Sequence, residues 1–194
     1  TYSTDILTVD THSITAVYRG DAIYTASTSA AISQVVNKIN TTTVVSSDDN
    51  PSLVDDYVTF TATVSPSTTQ GFISFKIDGV IVRSVTVGSN GTTAYTTSTL
   101  TAGTHAISVD YFGDDYSASS TSDVIQQVVN KVTTATALTS SDNPSMVDDE
   151  VTFTASVSPN NATGTVTFKN GSVILDIINV SAGKATFKTY TLSG

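Results

Sequence analysis

From residue 57 the chain reads YVTFTATV, with apolar side chains on every second position. Val58, Phe60, Ala62 and Val64 alternate with Thr59, Thr61 and Thr63. A period of two with threonine on the outer face predicts a half-buried antiparallel strand. FISFKI repeats the pattern with Ile73, Phe75 and Ile77, and HAISVDY with His105, Ile107, Val109 and Tyr111. Turn signals separate these runs: DDNPS, SPSTTQG, DG, GSNG, TAG and FGDD. The pattern predicts seven strands, lettered A to G: TTTVVS, YVTFTATV, FISFKI, VIVRSVTV, TTAYTTS, THAISVDYF and SDVIQQVVN. Seven short strands in so short a stretch predict a β-sandwich.

The pattern is also repeated. Shifted by 93 residues, THSITAVYRGDAIYTASTSA falls on THAISVDYFGDDYSASSTSD, and AISQVVNK on VIQQVVNK. SSDDNPSLVDDYVTFTATVSP likewise falls on SSDNPSMVDDEVTFTASVSP and GFISFK on GTVTFK, with one residue lost in the turn that follows, KIDGV against KNGSV. Such a period is that of a whole domain rather than of a solenoid unit. The chain therefore divides into residues 1–38, the C-terminal part of a repeat (strands E to G), residues 39–131, a complete repeat, and residues 132–194, the N-terminal part of another (strands A to E). The junctions VVNKINTTTVV and VVNKVTTATAL carry no Gly/Ser-rich or Pro-rich tether, which favours a stiff array.

Composition agrees with an all-β chain. Thr and Ser make up about a third of it and Glu occurs once, at Glu150. The net charge of −9 opposes binding to phosphate backbones, and no Lys/Arg cluster reverses it locally, so a nucleic-acid partner is not expected. There is no Cys, hence no disulfide framework, and no apolar run long enough to span a bilayer. The chain does not begin with Met and carries no visible leader, which reads as a processed, excised or partial product.

NPS, VTFTATVSP, GTVTFK, GTH, GD and AS, in this order, resemble the bacterial-type immunoglobulin-like (Ig-like) tandem repeats of large cell-surface and adhesin proteins. The resemblance covers the whole chain. It implies seven-stranded Ig-like β-sandwiches in tandem, an extracellular location and a mainly spacing role. It names no ligand.

The candidate sites are few. His12 and His105 occupy one repeat position on an inward strand face, which predicts a locally hydrogen-bonded structural ring. No GxSxG, HExxH or phosphate loop is present, so no enzyme is expected. Arg19-Gly20-Asp21 in the F–G loop has the form of a receptor-binding tripeptide, but the second copy, Phe112-Gly113-Asp114, explains Gly-Asp as a turn requirement. Asp10, Asp55, Asp114 and Asp115 are weak calcium candidates. Their loops lie at opposite ends of a sandwich and would meet only across a repeat junction, and solvated turn acids are the simpler reading. Sequons stand at Asn40, Asn90, Asn161, Asn170 and Asn179.

Two classes of function follow. The leading one is structural: a segment of a surface filament or stalk. Its partial ends are read either as a window on a longer array or as a split in which chains join head to tail, one chain's C-terminal part completing the next chain's N-terminal part. The alternative is an adhesin or accessory binding module for glycan or protein. The absence of Trp and the recurrence of the Tyr positions between copies weigh against it.

Overall fold

The computed structural model describes residues 1–67 and 70–190. Among them every regular element is a strand, and no helix is long and apolar enough to cross a membrane. The chain divides into two compact units, residues 1–131 and 132–194.

In the first unit, β1 (Asp10–Ile14), β2 (Val17–Tyr18), β3 (Ser27–Thr28) and β4 (Ile32–Val36) form an F–G hairpin, β1 on β4 and β2 on β3. The complete repeat follows as β5 (Thr42–Ser47), β6 (Ser52–Leu53), β7 (Val58–Ser65), β8 (Phe72–Ile77), β9 (Val80–Thr86), β10 (Thr92–Thr97), β11 (Gly103–Tyr111), β12 (Ser120–Thr121) and β13 (Ile125–Asn130). Its two sheets are β10-β7-β5 and β6-β13-β11-β8-β9, with β12 alongside β11. In strand letters these are E-B-A and G-F-C-D, so strand D lies beside C rather than beside E. Val58, Phe60, Ala62 and Val64 of one sheet meet Ile73, Phe75, Ile107, Val109 and Tyr111 of the other, all at most 1% exposed. The outward threonines remain partly accessible, as the alternation requires.

The second unit contains β14 (Ala135–Ser140), β15 (Val151–Ser158), β16 (Thr165–Asn170), β17 (Val173–Asn179) and β18 (Lys184–Thr189). They are strands A to E, in the sheets β14-β15-β18 and β16-β17. The registers copy the complete repeat. Ala135 faces Ser158 as Thr42 faces Ser65, and the irregularity after Phe168 matches the one after Phe75. Likewise Ile14 faces Ile32 as Ile107 faces Ile125. Both C–D hairpins have two-residue turns, Asp78-Gly79 and Gly171-Ser172. The lost residue therefore belongs to the D–E turn, Gly88–Gly91 against Ser181–Gly183.

One expectation fails. Residues 1–9, read as strand E, carry no strand. Within its sheet, strand E pairs with strand B alone, as β10 does with β7 and β18 with β15. Residues 1–38 contain no strand B, so this segment lacks the ladder it would join.

Candidate functional site

The features that bear on function are the junction before the complete repeat and the two faces that partial repeats leave open. At the junction, the Ile39 N–H donates to Tyr116 O (2.8 Å) and the Ala118 N–H to Ile39 O (2.9 Å). Thr41 Oγ1 donates to Ala118 O at 2.9 Å, and Lys38 Nζ donates to Asp114 O. Residues 38–41 are thus stitched to the F–G loop of the repeat they enter.

That loop is organised by Asp114. Its carboxylate accepts the N–H groups of Gln70 (3.0 Å), Tyr116 (2.8 Å) and Ser117. These bonds, Gln70 foremost, hold its pKa down at about 2. Gly113 has φ 81°, and a Cβ there would stand 2.7 Å from Ser117 O. Asp21 repeats the arrangement: Oδ1 accepts the N–H groups of Ile23 and Tyr24, both at 2.8 Å, which lowers its pKa. Gly20 has φ 75°, and a Cβ there would lie 2.6 Å from Tyr24 O. Gly20 and Asp21 therefore build their own loop, and of the tripeptide only the exposed Arg19 has no such local task.

The other acids are turn elements as well. Asp56 Oδ2 accepts the Leu53 N–H (2.9 Å), and Asp55 takes the left-handed conformation of that turn (φ 71°). Asp10 accepts the Thr11 N–H at 2.7 Å, and Asp115 is exposed. Among the described residues no group of three or more His, Cys, Asp or Glu side chains is placed to hold a metal ion. The structure thus does not bring Asp10, Asp55, Asp114 and Asp115 together. All five sequon asparagines are exposed, and Asn90 Oδ1 accepts from the Thr92 hydroxyl of its own sequon at 2.8 Å.

Both histidines bond locally, His105 Nε2 to Thr101 O (2.9 Å) and His12 Nε2 to Thr8 O (2.8 Å). His105 Nδ1 also lies 2.8 Å from Asp78 Oδ2. Both partners of His105 are acceptors, so only the imidazolium donates to both. Its pKa is accordingly raised, first by Asp78 and then by Thr101. A raised folded-state pKa gives stability that is complete below the unfolded value of about 6.5 and is lost as pH rises through the folded value. The thermal midpoint of the complete repeat is expected to fall from pH 6 to pH 8, and to fall less in Asp78→Asn. Parallel pH profiles for the two proteins would contradict this.

The open faces are seen by comparing equivalent positions. Ile107 and Tyr111 are 0% and 1% exposed, whereas their counterparts Ile14 and Tyr18 are 40% and 48% exposed. In the second unit Phe153, counterpart of the fully buried Phe60, is only half-buried. Leu138, Phe153, Val166, Phe168, Leu175 and Phe187 line an open cleft of about 380 Å³. In the complete repeat the inward side chains of β11 cover the corresponding face. Residues 10–36 therefore carry strands F and G with Ile14 and Tyr18 exposed, and the second unit carries an apolar cleft between its two sheets.

Residues 45–130 match the family model described as bacterial Ig-like domain (group 3). The complete repeat is a bacterial Ig-like domain. This family is typical of surface proteins of the adhesin type, which are structural or adhesive rather than enzymatic. A search of curated proteins gives no match. Similar solved structures include the human OSCAR ligand-binding domain, 14% identical, covering 76% of this chain and 81% of that one with a TM-score of 0.38. A structure described as giving insight into host cell surface retention of a 1.5-MDa bacterial ice-binding adhesin is also 14% identical, with a TM-score of 0.40. That match covers 91% of this chain and 62% of the adhesin chain.

The polar interior of the Ig-like domain escaped the strand pattern. Gln127 is fully buried. Its Oε1 accepts from Ser47 Oγ (2.6 Å), and its Nε2 donates to Asp49 O (2.8 Å) and lies 3.3 Å from Ser52 Oγ. Asn50 Nδ2 donates to Gln126 O (2.7 Å) while its Oδ1 accepts the Val128 N–H (2.9 Å). The Asn-Pro-Ser loop is thus clasped to strand G by two side-chain amides. The recurrence of both Gln (34, 127) and Asn-Pro-Ser (50–52, 143–145) in the repeats is the signal that could have found them.

Proposed function

We propose that the chain is a structural segment of an extracellular Ig-like array that forms or extends a surface filament or stalk. In this reading its open parts are completed head to tail. Residues 132–190 of one copy supply strands A to E, and residues 10–36 of the next supply F and G. The observation that carries the proposal is that Ile14 and Tyr18 are 40% and 48% exposed where their counterparts in the complete repeat are buried, while in the second unit Phe153 is only half-buried and lines an open apolar cleft. Exposed apolar faces and unpaired strand edges drive association. The two parts also fit without duplication, because strand E forms at β18 and not in residues 1–9. The contact joins different surfaces of two copies, so it need not close and can propagate.

Sedimentation across a dilution series tests this. Assemblies that lengthen with concentration are expected, with filaments visible by electron microscopy. A monomer at every concentration would contradict head-to-tail completion.

A further inference from the structure

Resting on that head-to-tail reading, we propose that two side-chain amides confer the specificity of the contact: Gln34 of one copy enters the Asn-Pro-Ser loop of a second copy, and that copy's Asn143 clasps the strand carrying Gln34. The occupied form of this contact is visible inside the chain, where Gln127 and Asn50 perform the same tasks between strand G and the A–B loop.

Both halves of the clasp are shaped before they meet. In the second unit Ser140 Oγ donates to Asp142 O (3.0 Å), as Ser47 Oγ does to Asp49 O (3.3 Å). Ser141 exchanges bonds with Thr152, its N–H to Thr152 O and its Oγ from the Thr152 N–H, both at 2.9 Å; Asp48 does so with Thr59. Beyond the loop the Met146 N–H donates to Asp149 Oδ2 (2.8 Å), matching Leu53 and Asp56 (2.9 Å). The loop thus keeps these bonds with no strand G beside it, and Asn143 stands exposed.

On the other side, Gln34 is exposed and its Nε2 donates to Val35 O at 2.9 Å, as Gln127 Nε2 does to Val128 O at 3.2 Å. The strand around it already has the register of β13. The hairpin behind it carries its own polar closure: Ser29 Oγ accepts the Ala16 N–H (2.9 Å), as Ser122 Oγ accepts the Val109 N–H (3.0 Å).

Seated as Gln127 is, Gln34 would meet Ser140, Asp142 O and Ser145, and Asn143 would bond Ser33 O and the Val35 N–H. An apolar face alone would accept many strands. An amide that must be satisfied in a buried pocket rejects strands lacking it, because the pocket's polar atoms are then left unpaired. The occupant this selects is a second copy of the same chain.

The test uses full chains carrying Gln34→Ala or Asn143→Ala. Both residues are exposed in the single chain, so the thermal transition of the complete repeat is expected to stay unchanged in each. Each variant alone is expected to self-associate at least tenfold more weakly than wild type in sedimentation velocity. In an equimolar mixture one intact contact remains, between Gln34 of the Asn143→Ala chain and Asn143 of the Gln34→Ala chain. The mixture should therefore stop at a heterodimer. Wild-type assembly that is matched by both variants would overturn the clasp and leave head-to-tail completion standing. A wild-type chain that never assembles would overturn both.

Discussion

Replacing Phe75 by alanine is expected to cost the complete repeat about 3–5 kcal/mol, which is much of what a domain this size possesses. Phe75 is fully buried, and its ring centroid lies 5.9 Å from that of Tyr95. It also stands in the middle of the β8–β11 ladder, opposite Val109. The close-packed interface relaxes only partly into that space. Denaturant unfolding followed by circular dichroism measures the loss. The equivalent substitution, Phe168→Ala, is expected to cost less than half as much in dilute solution. Phe168 packs against Phe187, with centroids 5.6 Å apart, but it borders the open cleft, which already forfeits contacts on one side. Equal losses at the two positions would mean that the cleft is closed in solution.

The second large effect is expected at Gly71. Its φ of +100° is unfavourable for any residue with a Cβ, and an added Cβ would lie 2.4 Å from the carbonyl oxygen of Gly113. The strain alone is worth about 1–3 kcal/mol, and the clash is with backbone that cannot rotate away. Gly71→Ala should therefore force the B–C and F–G loops apart and lower the midpoint of the complete repeat steeply. Gly164, the counterpart, has φ +113° but open space around it. Gly164→Ala is expected to show the backbone strain without the clash. In assembled copies the same alanine would meet the Gly20 loop of the neighbour, so it should also weaken self-association. A Gly71→Ala protein as stable as Gly164→Ala would refute the steric account.

The strands were largely legible because threonine and valine alternate so regularly that period two is unambiguous in YVTFTATV and HAISVDY. The Gly-Asp of the tripeptide was legible for another reason: its second copy revealed a turn, and the structure supplies the N–H groups that Asp21 and Asp114 accept. Residues 1–9 were misread because the pattern of strand E is present while its partner is not. Apolar alternation states which face a strand would bury, but a ladder also needs a neighbour. The amide clasp was missed because Gln34 and Gln127 sit among valines, where alternation marks a position as inward but does not say that a polar group will be satisfied there.

The amino-acid sequence by itself determined the all-β class and the length of the repeat. These depend on local alternation and on comparison of one copy with another. Only the tertiary structure decided that strand D joins C, that Gln127 is buried with its hydrogen bonds made, and which core residues are left uncovered. Each of those depends on which strands lie side by side, and pairing between distant segments follows from the packing of a whole sandwich rather than from any single stretch of chain.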